Sequence, residues 1–169
     1  MKKIILLVLL ICISLSVLAL NENFSDLKSL MNSYFNENGS LNAKGQTQIQ
    51  YANAFSSQIP EPIRIVFGNE TINIQITFAD GKKQTIGIIT KNAQIAQAQN
   101  KPYANPTITI FVSEASVKKI LSQENRINAF VKAYNAGEIK YETTSFIPSI
   151  TKSIIDSFLS FLKFFSFSK

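Results

Sequence analysis

Along residues 71–78, Ile72, Ile74, Ile76 and Phe78 alternate with Thr71, Asn73, Gln75 and Thr77. Successive side chains of a strand point to opposite faces, so this period of two predicts a strand with one face buried. Asp80-Gly81 follows and predicts a tight turn. Residues 84–90 return, with Ile86 and Ile88 on one face and Gly87 and Ile89 on the other. A glycine inside a strand marks a bulge or a neighbour packed close to the backbone. After the turn signal Lys91-Asn92, residues 93–98 fit either a short edge strand or a frayed helix, because Ile95 alone does not decide.

Residues 105–142 are the best punctuated stretch. Asn105-Pro106 opens a strand over 107–112 in which Ile108, Ile110 and Val112 share a face and Phe111 points away. Ser113 is a good N-cap, and Glu114 suits the positive end of a helix dipole. Val117, Ile120 and Leu121 form the buried side of that short helix. Ser122, with Glu124 in the first turn, predicts the start of a second helix that carries Ile127, Phe130, Val131 and Tyr134 at spacings of three and four. Gly137 ends it in a left-handed position. Residues 138–143 read as a final strand with Ile139 and Tyr141 on one face.

Earlier in the chain, Phe24, Leu27, Leu30, Met31, Tyr34 and Phe35 recur at helical spacing over 23–35, and Asn38-Gly39-Ser40 stops that helix. Ile49, Ala52 and Phe55 predict a weak second helix within 41–57. Residues 63–67 fit either a strand or a short helix between Pro62 and Gly68. At the other end, residues 146–167 hold six of the thirteen phenylalanines. Ile150, Ile154, Phe158, Phe161, Leu162 and Phe165 make a wide apolar face opposite Lys152, Asp156, Ser160 and Lys163. Leaving ten large apolar side chains wet would cost on the order of 15 kcal/mol, so this helix needs a cover. The domain's own core, a ligand cavity or a membrane interface could each supply it. The three charges make it a poor membrane span.

The 169 residues suffice for one domain with a substantial core. Lys2 and Lys3 precede an uncharged run from Ile4 to Leu20, with Val17 and Ala19 placed as the small residues of a cleavage site. This is the pattern of a secretory signal peptide cut after Ala19, or of a short uncleaved anchor, and both put the folded part outside the cytoplasm. Cys12, the single cysteine, lies within that run, so the remainder has no disulfide to draw on. The net charge of +6 becomes +4 once Lys2 and Lys3 are removed, and the lysines are dispersed rather than clustered. Nucleic acid is therefore not an expected partner, while an anionic membrane surface is compatible. Asn23, Asn38 and Asn69 begin glycosylation sequons.

The chain has no histidine, which removes Ser-His and Cys-His nucleophile pairs and most transition-metal sites. Its acidic residues are scattered at turns and helix starts, with no spacing that argues for paired general acid–base work. No glycine-rich phosphate loop is present. An enzyme is not expected, and neither is a cofactor.

Residues 72–142 resemble the sterol carrier protein family (type 2), whose domain binds lipids in an apolar tunnel. The resemblance lies in the hairpin around Asp80-Gly81, in Asn105-Pro106-Thr107 running through the next strand into Ser113-Glu114, in Ile127-Asn128-Ala129-Phe130, and in Gly137-Glu138-Ile139-Lys140-Tyr141. The chain departs from the family where Arg126-Ile127-Asn128 replaces the usual Asn-Pro, and where three extra residues lengthen the helix before Gly137. It is most similar to an exported, archaeal-type branch. The resemblance implies that residues 63–67 are helical and 93–98 a strand. The expected fold is then α+β: a five-stranded mixed sheet covered by helices on one face, plus a C-terminal amphipathic helix. Signal segment 1–19, helical region 20–62, sterol-carrier-like domain 63–145 and Phe-rich helix 146–169 are the expected divisions. The expected function is non-catalytic binding of lipid or another apolar molecule, outside the cytoplasm and near the membrane. Ile86, Ile88, Ile108, Ile110, Leu121, Phe130 and Tyr134 are the expected walls of its pocket, with Phe158, Leu162 and Phe165 as lid. The alternative is an envelope-associated interaction module with a solid core, whose Phe-rich helix docks on a membrane or a partner protein.

Overall fold

The computed structural model describes residues 26–56, 69–92, 94–123 and 126–144. The N-terminal apolar run, Asn23, residues 63–67, Glu124 and the Phe-rich tail with Phe158, Leu162 and Phe165 lie outside the described residues. Two helices, α1 (Leu27–Asn32) and α2 (Ala43–Ser56), precede strands β1 (Thr71–Thr77), β2 (Lys83–Lys91), β3 (Gln94–Gln99) and β4 (Ile108–Ser113). Helices α3 (Glu114–Leu121) and α4 (Arg126–Asn135) then lead to β5 (Ile139–Thr143). The strand order is β3-β2-β1-β4-β5. β1 pairs antiparallel with β2 and parallel with β4, and the outer pairs are antiparallel. The sheet is therefore mixed and five-stranded, as expected.

The alternation along β1 decides which face is buried. Ile72, Ile74, Ile76 and the following Phe78 are all at most 6% exposed. The register sets Ile72 between Ile88 and Ile108, and Ile74 between Ile86 and Ile110. One further strand out, Tyr141 lies opposite Ile110 and Ile139 opposite Val112. Leu27 and Met31 of α1, Ala52 of α2, Ile120 and Leu121 of α3, and Phe130 and Ala133 of α4 join the same cluster, so the helices cover this one face.

The β1–β2 connection is a three-residue loop. Gly81 adopts φ +78 and donates its N–H to the Phe78 carbonyl, while the Phe78 N–H reaches the Lys82 carbonyl. This is a type I turn closed by a left-handed residue, the second most common hairpin solution. The ambiguous stretch after Lys91 is an edge strand. Its pairing slips between Ile89 and Thr90, which leaves Ala96 unpaired. That bulge brings Ile95 and Ala98, of opposite parity, to the core face. An amide from α2 secures it: Asn53 Nδ2 donates to the Ile95 carbonyl at 3.0 Å and Oδ1 accepts the Ile95 N–H at 2.7 Å. At the other end of β3, Gln99 bridges to Ser40, and the Asn100 N–H donates to the Gly39 carbonyl.

Two sequence expectations are corrected. The first helix ends at Asn32 rather than Phe35: Ser33 caps it, Tyr34 turns into the core and Phe35 bridges to Leu41 in a small loop. Ser122 does not start a helix. It is the C-cap of α3, donating its N–H to the Lys118 carbonyl and its hydroxyl to the Lys119 carbonyl, and α4 begins at Arg126. The capping preference of serine was right and the end it caps was not, because its hydroxyl also satisfies carbonyls left open at a helix C-terminus.

β3 and β4 run in the same direction on opposite sides of the β2–β1 pair, so the chain must cross two strands between them. Residues 100–107 make that crossing on the polar face. Asn73 of β1 holds the segment with both ends of its amide, Nδ2 to the Tyr103 carbonyl at 3.0 Å and Oδ1 from the Tyr103 N–H at 2.9 Å. The segment passes over Gly87, where a Cβ would stand 2.6 Å from the Lys101 carbonyl oxygen and 2.7 Å from the Tyr103 ring. Gly87 is thus a close-approach glycine, one of the two roles its place in a strand implied. Gly87→Ala forces backbone to move and should cost about 1–3 kcal/mol. The expected readout is a lower urea midpoint with unchanged slope; an unchanged midpoint would mean that the crossing is not seated on this glycine.

Candidate functional site

The core face of the sheet is a continuous apolar surface. Across its centre it presents Ile88, Ile72 and Ile108 in one row and Ile86, Ile74 and Ile110 in the next. β-branched side chains suit such a pleated, half-enclosed surface. Of the expected wall residues, Ile88, Ile108, Ile110, Leu121 and Phe130 are brought together here, each at most 3% exposed. Ile86 and Tyr134 are half-buried and pack against the same cluster. Leu27, Met31, Ile72, Ile74, Ile120 and Ile139, which were not among the expected walls, belong to the same cluster. Their signals were visible: period two in β1, and Leu27 and Met31 one helical turn apart.

Helix α3 is positioned over this surface by polar contacts at both ends. Ser113 Oγ accepts the Ser116 N–H at 3.0 Å, the N-cap its sequence position predicts. Glu114 accepts the Ala79 N–H at 3.0 Å, which ties the helix start to the β1–β2 turn, and pairs with Lys118 at 2.7 Å. Near the helix end, Lys119 reaches Glu138 at 2.8 Å, just beyond α4. Gly137, at φ +73, closes α4 by donating its N–H to the Tyr134 carbonyl, and Glu138 donates its own to the Ala133 carbonyl.

At the rim, the Tyr134 and Tyr141 rings stack at 6.5 Å and 26°. They border an open cleft of about 550 Å³ with Asn135, Ile139 and Lys140. Burial, and then the neighbouring Tyr141, push the Tyr134 hydroxyl above its ordinary pKa, so it stays neutral. A second open cleft, of about 840 Å³, lies along β3 between α2 and the 38–41 loop. Neither contains a nucleophile–base pair. Glu70 is buried at the entrance to β1, where the Thr107 hydroxyl donates to its carboxylate at 2.6 Å and its N–H donates to the Thr90 hydroxyl at 3.0 Å. It joins β1, β2 and β4 rather than facing a cleft. Among the described residues no group of three or more metal-ligating side chains is found.

No protein-family model matches the chain, and no curated protein does. The solved structures that match include sterol carrier protein 2 domains. Sterol carrier protein 2 from Yarrowia lipolytica, in its apo form, is 16% identical at a TM-score of 0.41, with 66% of this chain aligned to 93% of that one. Sterol carrier protein 2 like 2 from Aedes aegypti is 15% identical at 0.37, over 70% and 94%. A UbiJ-SCP2 ubiquinone synthesis protein is 8% identical at 0.41, over 68% and 89%. These matches fall in the family that residues 72–142 resemble. At such identities and TM-scores they carry no argument about ligand or activity, which rests on the chain's own residues.

Glu114 and Glu138 each lie below the ordinary carboxyl range, principally because a lysine, Lys118 or Lys119, hydrogen-bonds the charged form. A lowered folded pKa contributes stability that is fully present above the unfolded value of about 4.5 and is lost as pH falls through the folded values. The thermal midpoint should therefore drop on acidification below that value. Glu114→Gln should start from a lower midpoint at pH 7 and lose less over the acid window. Parallel pH profiles for the variant and the parent would contradict this account of how α3 is held.

Proposed function

We propose that the protein is a non-catalytic binder of lipid or another apolar molecule. The observation that supports this most is the aliphatic face of the sheet, Ile72, Ile74, Ile88, Ile108 and Ile110, enclosed by helices and, among the described residues, without a charged side chain in its cluster. Such a surface offers dispersion and desolvation to an apolar guest and nothing to a polar one. The stacked Tyr134–Tyr141 pair at the margin, apolar in body and polar at the tip, suits a site where a guest meets water. The walls of the site are Ile86, Ile88, Ile108, Ile110, Leu121, Phe130 and Tyr134, with Phe158, Leu162 and Phe165 of the tail as its cover. The apolar run from Ile4 to Leu20 behind Lys2 and Lys3 supports a place of work outside the cytoplasm, near the membrane.

The second reading, an interaction module with a solid core, is favoured by the 0–1% exposure of Ile108, Ile110, Leu121 and Phe130. Ile110→Phe separates the two. In a solid core the added bulk costs about 1–3 kcal/mol of stability. In a hollow one, stability is kept and lipid occupancy falls. Native mass spectrometry of the full chain, purified without lipid stripping, should show co-purified lipid in the parent and less in the variant. A parent that carries none, together with an Ile110→Phe variant destabilised by that amount, would establish the solid core instead.

A further inference from the structure

Independently of the apolar site, lysines from three separate stretches converge on one open cleft of about 490 Å³ at the end of the sheet where β1 turns into β2. Lys28 comes from α1, Lys82 and Lys83 from the turn and the start of β2, and Lys101 from the crossing segment. The three stretches are far apart in sequence, which is why the chain reads as having dispersed charge. Their partners are few. Lys82 pairs with Asp80 at 3.6 Å, and Lys28 lies 5.6 Å from the centre of the Phe78 ring. Lys83 and Lys101 are exposed and have no carboxylate partner among the described residues.

The same cleft has a fixed amide lining. Gln84 Nε2 donates to Asn32 Oδ1 at 2.9 Å and to Asn100 Oδ1 at 2.6 Å, and Asn100 Nδ2 donates to Asn32 Oδ1 at 3.4 Å. These bonds join α1, β2 and the crossing segment, so the lysines they carry are held near one another although like charges repel. A compact, multiply charged anion relieves that repulsion, and ammonium groups bind such anions as point charges without requiring a planar fork. The single aromatic ring in the lining, Phe78, is 6% exposed and lies beneath Lys28, so no platform for stacking a base is offered.

We propose that this cleft binds a phosphate-bearing anion, either a free phosphate compound or the headgroup of an anionic phospholipid. The full chain would be titrated with inorganic pyrophosphate and, separately, with vesicles of phosphatidylglycerol or of phosphatidylcholine. The variants are Lys83→Gln with Lys101→Gln and, as a control of equal charge, Lys91→Gln with Lys132→Gln. Loss of both cleft lysines should weaken binding roughly tenfold or more at low salt, and the control pair should change it little. Pyrophosphate binding lost in the cleft variant identifies a free phosphate. Phosphatidylglycerol binding lost in that variant, without pyrophosphate binding, identifies the headgroup. Binding to neither probe, or equal effects of the two double variants, overturns the proposal.

Discussion

The parallel pairing of β4 beside β1 is the constraint on which the remaining architecture depends. It puts β3 and β4 on opposite sides of the β1–β2 hairpin while pointing them the same way. Parallel neighbours ordinarily require a long crossover that contains a helix. Here the connection from β1 to β4 runs through β2 and β3, and its last crossing is made by the eight residues between β3 and β4, laid across the polar face. So short a segment has no apolar face of its own to bury, and it is held by hydrogen bonds from Asn73 and by the missing side chain of Gly87. The described helices are then left to the opposite face, where the core cluster forms.

How much of this was legible follows from where each signal is encoded. The β1 strand, its turn, Gly137 and the Ser113 cap are local features, readable from a few adjacent residues whose chemistry has one common use. The buried isoleucines of β4 were legible for the same reason. Periodicity alone left residues 94–99 open, because the bulge at Ala96 breaks the alternation; the strand that the family resemblance implied there is made by pairing with β2 and fastened by an amide on α2 more than forty residues earlier. Ser122 was misread because serine caps either end of a helix and its sequence context did not distinguish them. The lysine cleft was invisible in sequence, since Lys28, Lys82, Lys83 and Lys101 meet only through the crossing segment and the α1 contact. Strand periodicity found the isoleucines of β2 and β4 that share the core face, while the contributions of α1 depend on how the N-terminal region docks.

Buried polarity in this fold serves joining rather than chemistry. Glu70, Thr90 and Thr107 knot the start of β1 to its two neighbours. Asn53 and Asn73 each present a complete amide to a main chain that has no strand on that side. An asparagine side chain carries both a donor and an acceptor, so it can stand in for one residue of a neighbouring strand. In a chain with a single cysteine, such clamps do some of the fastening that disulfides do elsewhere.

The Asn53 clamp has a further consequence. The outer edge of a sheet is a template on which another chain can assemble, and long, flat, unprotected edges are where aggregation starts. On β3 the Ile95 main chain is already engaged by an amide, Gln99 is bridged by Ser40, and the bulge at Ala96 disturbs the spacing between them. An incoming strand would find neither a free row of donors and acceptors nor a regular repeat to match. The sheet is therefore sealed against growth in that direction, and any ordered stacking of copies through main-chain pairing would have to begin at β5.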